Sequence, residues 1–108
     1  MLNRVLSAIS IMSVAATSVY AQEAGDPAKG LAYANRVCTQ CHAVRQNDQM
    51  SPNPKAPSFQ EIADTPGMTG ISLAATLHSV HENMPNFTLA ADERDNIIAY
   101  ILSLKQQR

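Results

Sequence analysis

The chain has 108 residues and a nearly balanced charge, with 8 Lys and Arg against 9 Asp and Glu and a formal net charge of −1. This balance excludes the strongly basic field through which proteins bind nucleic acid or anionic lipid surfaces. A chain of this length forms one domain with a limited core, and such small domains usually need a bound group or a cross-link for stability.

The first 21 residues predict a secretory signal peptide. Arg4 supplies the positive end, residues 5–19 are apolar or small, and Val19 and Ala21 occupy the −3 and −1 positions of a cleavage site. The apolar run is short for a membrane anchor, which needs about 20 residues. Cleavage after Ala21 would remove 21 of the 108 residues and leave 87, residues 22–108, as one exported domain without membrane insertion. Loss of Arg4 changes the formal charge from −1 to −2, and we expect a periplasmic location.

The rest of the sequence predicts an all-α domain of about four helices. Asp26 as N-cap and Pro27 at the first helical position begin a helix that runs to about Val37. Gly30 lies inside it and costs about 1 kcal/mol relative to Ala, so either another element approaches closely there or the glycine is simply exposed. The other helices are predicted over 59–63, roughly 71–81 with Thr69 or Ser72 as cap, and about 91–105 with a buried stripe of Ile97, Ile98, Ile101 and Leu104 flanked by Tyr100.

Cys38–His42 reads C-T-Q-C-H, a sequence typical of covalent attachment of c-type haem. On one helical turn, residues three and four apart share a face, so Cys38 and Cys41 can add their thiols to the two vinyl groups of one porphyrin. His42 then falls under the iron as the proximal ligand. The main alternative is a Cys38–Cys41 disulfide in a dithiol redox protein, which export permits. Dithiol redox proteins of the thioredoxin type alternate strands with helices, whereas this sequence shows no strand pattern. A structural zinc site is disfavoured as well, because one C-x-x-C and scattered histidines do not supply four ligands at the required spacing.

Met84 is the best candidate for the second axial ligand. It lies between two predicted helices, and Pro85 after it pushes its backbone to an extended conformation. A core packing role is the simpler alternative for this methionine. His81, three residues earlier, is the main competitor for the iron. Three other candidates rank lower: His78 and Met50 at the surface, and Met68 packed against the haem edge.

From Gly25 to Leu104 the chain resembles the class I cytochromes c, in particular the small bacterial periplasmic members. Four segments occur in the order of that family: C-T-Q-C-H at 38–42, A-P-S-F at 56–59, M-P-N-F at 84–87 and A-Y-I-L-S-L at 99–104. The resemblance implies the cytochrome c fold around one haem c, with thioethers from Cys38 and Cys41 and axial ligation of iron by His42 and Met84.

The same resemblance implies two further contacts. The Pro57 carbonyl would accept the other ring N–H of His42, which orients the ring. Gly30 would lie where the first and last helices cross, with Tyr100 packed nearby. Three features depart from the family: Ala34 replaces the aromatic residue expected four positions before Cys38, Ala90 replaces the Thr or Ser expected three positions before Glu93, and the chain has no Trp to hold a haem propionate.

These features predict a one-electron carrier rather than an enzyme, because His and Met ligation closes the iron to substrates and raises its potential. We expect a monomer that accepts electrons from a periplasmic dehydrogenase and passes them to a terminal oxidase or reductase, with no nucleic-acid partner. The alternative is a haem enzyme or gas-binding sensor in which Met84 is a labile ligand.

Overall fold

The computed structural model describes residues 24–79, 84–85 and 88–106. Within these residues the chain forms four α-helices and no strand: α1 (Pro27–Val37), α2 (Phe59–Asp64), α3 (Gly70–His78) and α4 (Ala91–Ser103). The predicted all-α class is confirmed. In this part of the chain no helix is long and apolar enough to cross a membrane. The predicted signal peptide, residues 1–21, lies outside the described residues.

Helices α1 and α2 begin at local capping signals. At α1, the Asp26 carboxylate accepts hydrogen bonds from the backbone N–H groups of Ala28 at 2.9 Å and Lys29 at 3.4 Å, as its N-cap position predicts. At α2, Ser58 Oγ accepts from the Glu61 N–H at 3.1 Å while Glu61 Oε2 accepts from the Ser58 N–H at 2.9 Å. This reciprocal capping box fixes where α2 starts, directly after Pro57.

Two predicted helix ends are wrong. Helix α3 ends at His78 rather than near residue 81, because Ser79 is extended with ψ 146° and its hydroxyl bonds back to the last turn. His81 lies outside the described residues. Helix α4 ends at Ser103 rather than at Lys105, with Leu104 as C-cap. Of the two proposed caps of α3, the structure uses Thr69, whose Oγ1 accepts from the Ser72 N–H at 3.2 Å.

Helix α4 forms the centre of the core, and each of the other three helices packs against it. The predicted stripe on α4 is buried, with exposures of 2–5% for its four members, and Tyr100 beside it is 6% exposed. The other members of the buried apolar cluster are Ala34 of α1, Val44 after the Cys38–His42 turn, Phe59 and Ala63 of α2, and Leu73 of α3. The core is therefore made by the last helix and by residues distributed along the whole domain.

Helices α1 and α4 approach each other closely at Gly30. A Cβ at this position would overlap the backbone carbonyl of Asn96 and lie 2.7 Å from Cβ of Tyr100. Just before α1, Gly25 adopts φ +106° against the Asp95 backbone, and the Asp26 N–H donates to Asn96 Oδ1 at 2.8 Å. The contact that the resemblance implies at Gly30 is present, and the absence of a side chain there lets α1 lie directly on α4.

A buried glutamine joins α2 to the end of α4. The Gln60 side chain is 1% exposed, and its Nε2 donates to the Leu104 carbonyl at 2.7 Å and to Asp64 Oδ2 at 2.9 Å. Its Oε1 accepts from the N–H of Asn47, a residue with φ 61°, at 2.9 Å. A fully bonded buried amide of this kind holds its partners in one arrangement.

We expect the Gly30→Ala substitution to lower the free energy of unfolding by about 2 kcal/mol, because the added methyl group overpacks a backbone contact. The measurement is urea denaturation followed by circular dichroism. Ala32→Gly is the matched control on an exposed face of α1, and it should cost about 1 kcal/mol through helix propensity alone. If Gly30 were merely exposed, Gly30→Ala would stabilise the protein.

Candidate functional site

The C-x-x-C-H segment continues directly from α1 as a helical turn. The Cys38 N–H donates to the Ala34 carbonyl at 2.9 Å, and the Cys38 carbonyl accepts from the N–H groups of Cys41 at 3.2 Å and His42 at 2.9 Å. These bonds bring both cysteines and the histidine onto a single turn. Both thiols are free and half-buried.

Burial raises the pKa of the Cys38 thiol to about 11. The group is therefore a protonated thiol at neutral pH. Dithiol oxidoreductases instead lower the pKa of one C-x-x-C cysteine, because the thiolate is the attacking species. The environment of Cys38 disfavours disulfide exchange and is compatible with a thiol that becomes a thioether.

The His42 imidazole is oriented by a backbone carbonyl. Nδ1 of His42 lies 2.6 Å from the Pro57 carbonyl oxygen, and because a carbonyl only accepts, Nδ1 carries the proton and donates it. The Phe59 ring lies against the imidazole, with ring centroids 5.4 Å apart and an interplanar angle of 52°. In a neutral imidazole with its proton on Nδ1, Nε2 is the nitrogen with the lone pair that metal ligation uses.

The loop between the turn and α2 is tied back to the turn, and this places the Pro57 carbonyl. The Ala43 N–H donates to Ser51 Oγ at 3.1 Å, and the Asn53 N–H donates to the Cys41 carbonyl at 3.2 Å. The Phe59 N–H then donates to the Ala43 carbonyl at 2.9 Å. The loop is thus held to the residues next to the histidine by two backbone hydrogen bonds and by one hydrogen bond to the Ser51 hydroxyl.

Tyr100 extends this arrangement to α4. Its ring centroid lies 6.4 Å from that of Phe59, and its hydroxyl donates to the Val44 carbonyl, two residues after the histidine. Burial raises the pKa of Tyr100, and the Arg45 guanidinium opposes the shift. Sequence reasoning assigned Tyr100 to helix packing and missed this hydrogen bond, because the bond joins residues 56 positions apart.

Met84 belongs to a different segment, the connection between α3 and α4, where it is half-buried and followed by the exposed Pro85. Of the lower-ranked candidates, His78 and Met50 are at the surface as predicted, and the predicted contact of Met68 with the haem edge stays a prediction. His78 is exposed and Met50 is 87% exposed, whereas Met68 packs against the apolar core. Four of the five predicted site residues, Cys38, Cys41, His42 and Pro57, are therefore joined by the geometry above.

The groups on this turn are of the kind that attach haem c. Two free thiols and the imidazole nitrogen that is not used by the Pro57 contact share the turn, whereas Met84 lies on a different segment and no described contact joins it to them. Several apolar side chains that pack against the core remain only half-buried; they include Met68, Leu77 and Leu89. Within the described ranges no group of three or more His, Cys, Asp or Glu residues is arranged to hold a metal ion.

A cavity of about 360 Å³ lies elsewhere, between α1, the end of α4 and residues 45–46. None of the five predicted site residues lines it. The candidate site is therefore assigned from the hydrogen-bonded turn, where the chemically specific groups are, rather than from this open surface cavity.

Comparisons of the chain with protein-family models, with curated proteins and with solved structures give no match. The interpretation of the site consequently depends on its own residues, their spacing and their contacts.

We expect Tyr100→Phe to reduce the loss of stability at alkaline pH. Because burial raises its pKa in the folded state, Tyr100 contributes stability that is complete below its ordinary pKa of about 10 and is lost as pH rises through the raised value. Near neutral pH the variant should lose about 1 kcal/mol, since the Val44 carbonyl loses its donor. Urea denaturation between pH 8 and 11 measures both effects, and parallel stability curves for the two proteins would contradict the expectation.

Proposed function

We propose that this protein is a monohaem c-type cytochrome that carries single electrons in the periplasm. The observation that carries the proposal is the hydrogen bond from His42 Nδ1 to the Pro57 carbonyl, 2.6 Å long, next to two free thiols on the same turn. This bond leaves Nε2 available for iron and makes it a more basic ligand.

The chain's own groups have distinct roles in this proposal. Cys38 and Cys41 form the two thioethers, which keep the cofactor attached in all redox states. His42 and Met84 ligate the iron, and the loop carrying Pro57 orients the imidazole. When bound, the haem supplies a ferric–ferrous couple, and methionine ligation raises its potential.

Two observations favour this function over a dithiol redox protein. The pKa of the Cys38 thiol is raised to about 11, the opposite of what thiolate chemistry requires. Helices are the regular secondary structure of the described residues, which contain no strand, whereas dithiol oxidoreductases of the thioredoxin type alternate strands with helices. The close contact of α1 and α4 at Gly30 further supports the resemblance to class I cytochromes c.

The partners follow from this role. We propose a periplasmic dehydrogenase as donor and a terminal oxidase or reductase as acceptor, each bound briefly through an interface under about 1,200 Å². With a proposed mature charge of −2, docking does not depend on a strongly basic surface. A periplasmic location follows from the predicted signal peptide and allows the cofactor to be attached after export.

We expect the exported protein to carry the mass of one haem that resists extraction with acidified acetone, because thioethers are covalent. Mass spectrometry of the intact protein measures this, and it also tests cleavage after Ala21. Cys38→Ala should reduce the yield of holoprotein by about tenfold or more, since one of the two attachment points is lost. An unmodified wild-type mass would contradict the proposal and favour the dithiol alternative.

We expect Met84→Ala to retain covalent haem but lose the weak far-red absorption band that methionine sulfur gives to ferric haem. The potential should fall by roughly 0.1 V or more, because axial ligands set haem potentials over a wide range. Met68→Ala is the matched control and should keep the band. A band that survives Met84→Ala would assign ligation to another residue, His81 first.

The same preparation distinguishes a carrier from an enzyme or gas sensor. Wild-type ferrous protein should bind carbon monoxide weakly at neutral pH because Met84 occupies the sixth position. Ready binding together with a missing far-red band would favour the alternative in which the distal ligand is labile.

A further inference from the structure

An aromatic ring lies against the imidazole of the candidate iron ligand. The centroids of the Phe59 and His42 rings are 5.4 Å apart with an interplanar angle of 52°, a tilted arrangement of the kind that aromatic pairs favour. The Phe59 ring also lies next to that of Tyr100, at a centroid distance of 6.4 Å. Phe59 is 4% exposed, so its ring links the imidazole to Tyr100 inside the core.

The backbone holds Phe59 at this position. Its N–H donates to the carbonyl of Ala43, the residue after His42, at 2.9 Å. Phe59 is also the first residue of α2, where the capping box of Ser58 and Glu61 fixes the start of the helix. Because the backbone and the core packing both restrain Phe59, its ring forms a fixed surface next to the imidazole.

The hydrogen bond to Pro57 does not define the plane of the imidazole by itself. It restrains Nδ1, which is one atom of the ring, and the torsion angle that turns a histidine ring has only broad preferences. The ring can therefore tilt about Nδ1 unless a neighbouring group packs against it. Phe59 supplies this second restraint from the same short segment, two residues after Pro57.

We propose that Phe59 is a positioning residue that sets the plane of the His42 imidazole. This inference rests on the proposed function, in which the imidazole is the proximal ligand of the haem iron. Groups that contact a metal ligand orient it and thereby tune the metal. The plane of an axial imidazole affects how unpaired electron density is distributed over a ferric porphyrin, so a change in that plane can be measured by spectroscopy.

The test uses Phe59→Leu, which keeps an apolar side chain but removes the ring. In ferric holoprotein, proton NMR should show a changed spread of the haem methyl resonances, because these depend on the plane of the axial imidazole. In ferrous holoprotein, exchange of the His42 Nδ1–H with solvent should be about three- to tenfold faster, the factor expected from the loss of one aromatic pair. Exchange requires the segment from Pro57 to Phe59 to separate from the imidazole, and in the variant this movement no longer breaks the aromatic contact.

Two variants serve as matched controls. Phe59→Tyr keeps a ring of the same shape and should keep the wild-type values of both measurements. Ile98→Val loosens the same buried cluster from α4 without removing a ring, and it should also keep them. Free energies of unfolding, measured in parallel, separate a local effect from a general loss of stability. If Phe59→Leu yields no holoprotein, Phe59→Met fills more of the space and is measured in the same way.

The outcomes distinguish the two proposals. A wild-type holoprotein with the methionine band, combined with wild-type values of either measurement in the variant that lacks the ring, would overturn the positioning role alone. Equal changes in Phe59→Tyr or in Ile98→Val would also overturn it, because the effect would then not depend on the ring. A wild-type protein without covalent haem or without the band would overturn the proposed function and, with it, this inference.

Discussion

The direct contact of α1 with α4 at Gly30 is the constraint on which the rest of this structure depends. The backbone of Asn96 occupies the space that a side chain on Gly30 would need. Because the Cys38–His42 turn continues α1 without an intervening loop, the position of α1 on α4 also fixes the position of the turn. Tyr100, next to the same contact, reaches the Val44 carbonyl just beyond the turn and so holds its other end. Helix α4 thereby holds the chain in place both before and after the Cys38–His42 turn.

The two sides of the proposed site are built differently. His42 is held by a short backbone contact to Pro57, and the loop that presents this carbonyl is tied to residues next to the histidine. Met84 instead belongs to a connection whose ends are joined through side chains, those of His78 and Arg94. The histidine side therefore depends mainly on backbone groups together with the Ser51 hydroxyl, whereas the ends of the other connection are linked by a pair of side chains.

Local signals explain why the starts of the helices and the cysteine turn could be predicted. Asp26 and Thr69 cap their helices with their own side chains, and the spacing of Cys38 and Cys41 is itself a property of one helical turn. The ends of α3 and α4 could not be located in this way. Nothing in the residues near His78 marks an end as Gly would, and the helix stops where Ser79 turns to an extended conformation.

Contacts between residues that are far apart in the chain could be predicted from the sequence only in part. The Pro57 contact followed from the family resemblance and not from the residues themselves, because fifteen positions separate it from His42. No feature of the sequence predicted the burial and the hydrogen bonds of the Gln60 amide, since a glutamine in a short helix is ordinarily exposed. Its burial is a consequence of the acceptor and donor groups that the C-terminal end of α4 and Asn47 bring to it.

The contact between the first and last helices also determines when α1 can dock during folding. The bond between the Asp26 N–H and Asn96 joins residues 70 positions apart, so α1 has no packing partner until nearly the whole domain has been synthesised. An isolated helix of 11 residues is barely stable in water, and the turn that follows it is then exposed. Docking of α4 ends the interval, because it completes the apolar core against which Cys38 packs.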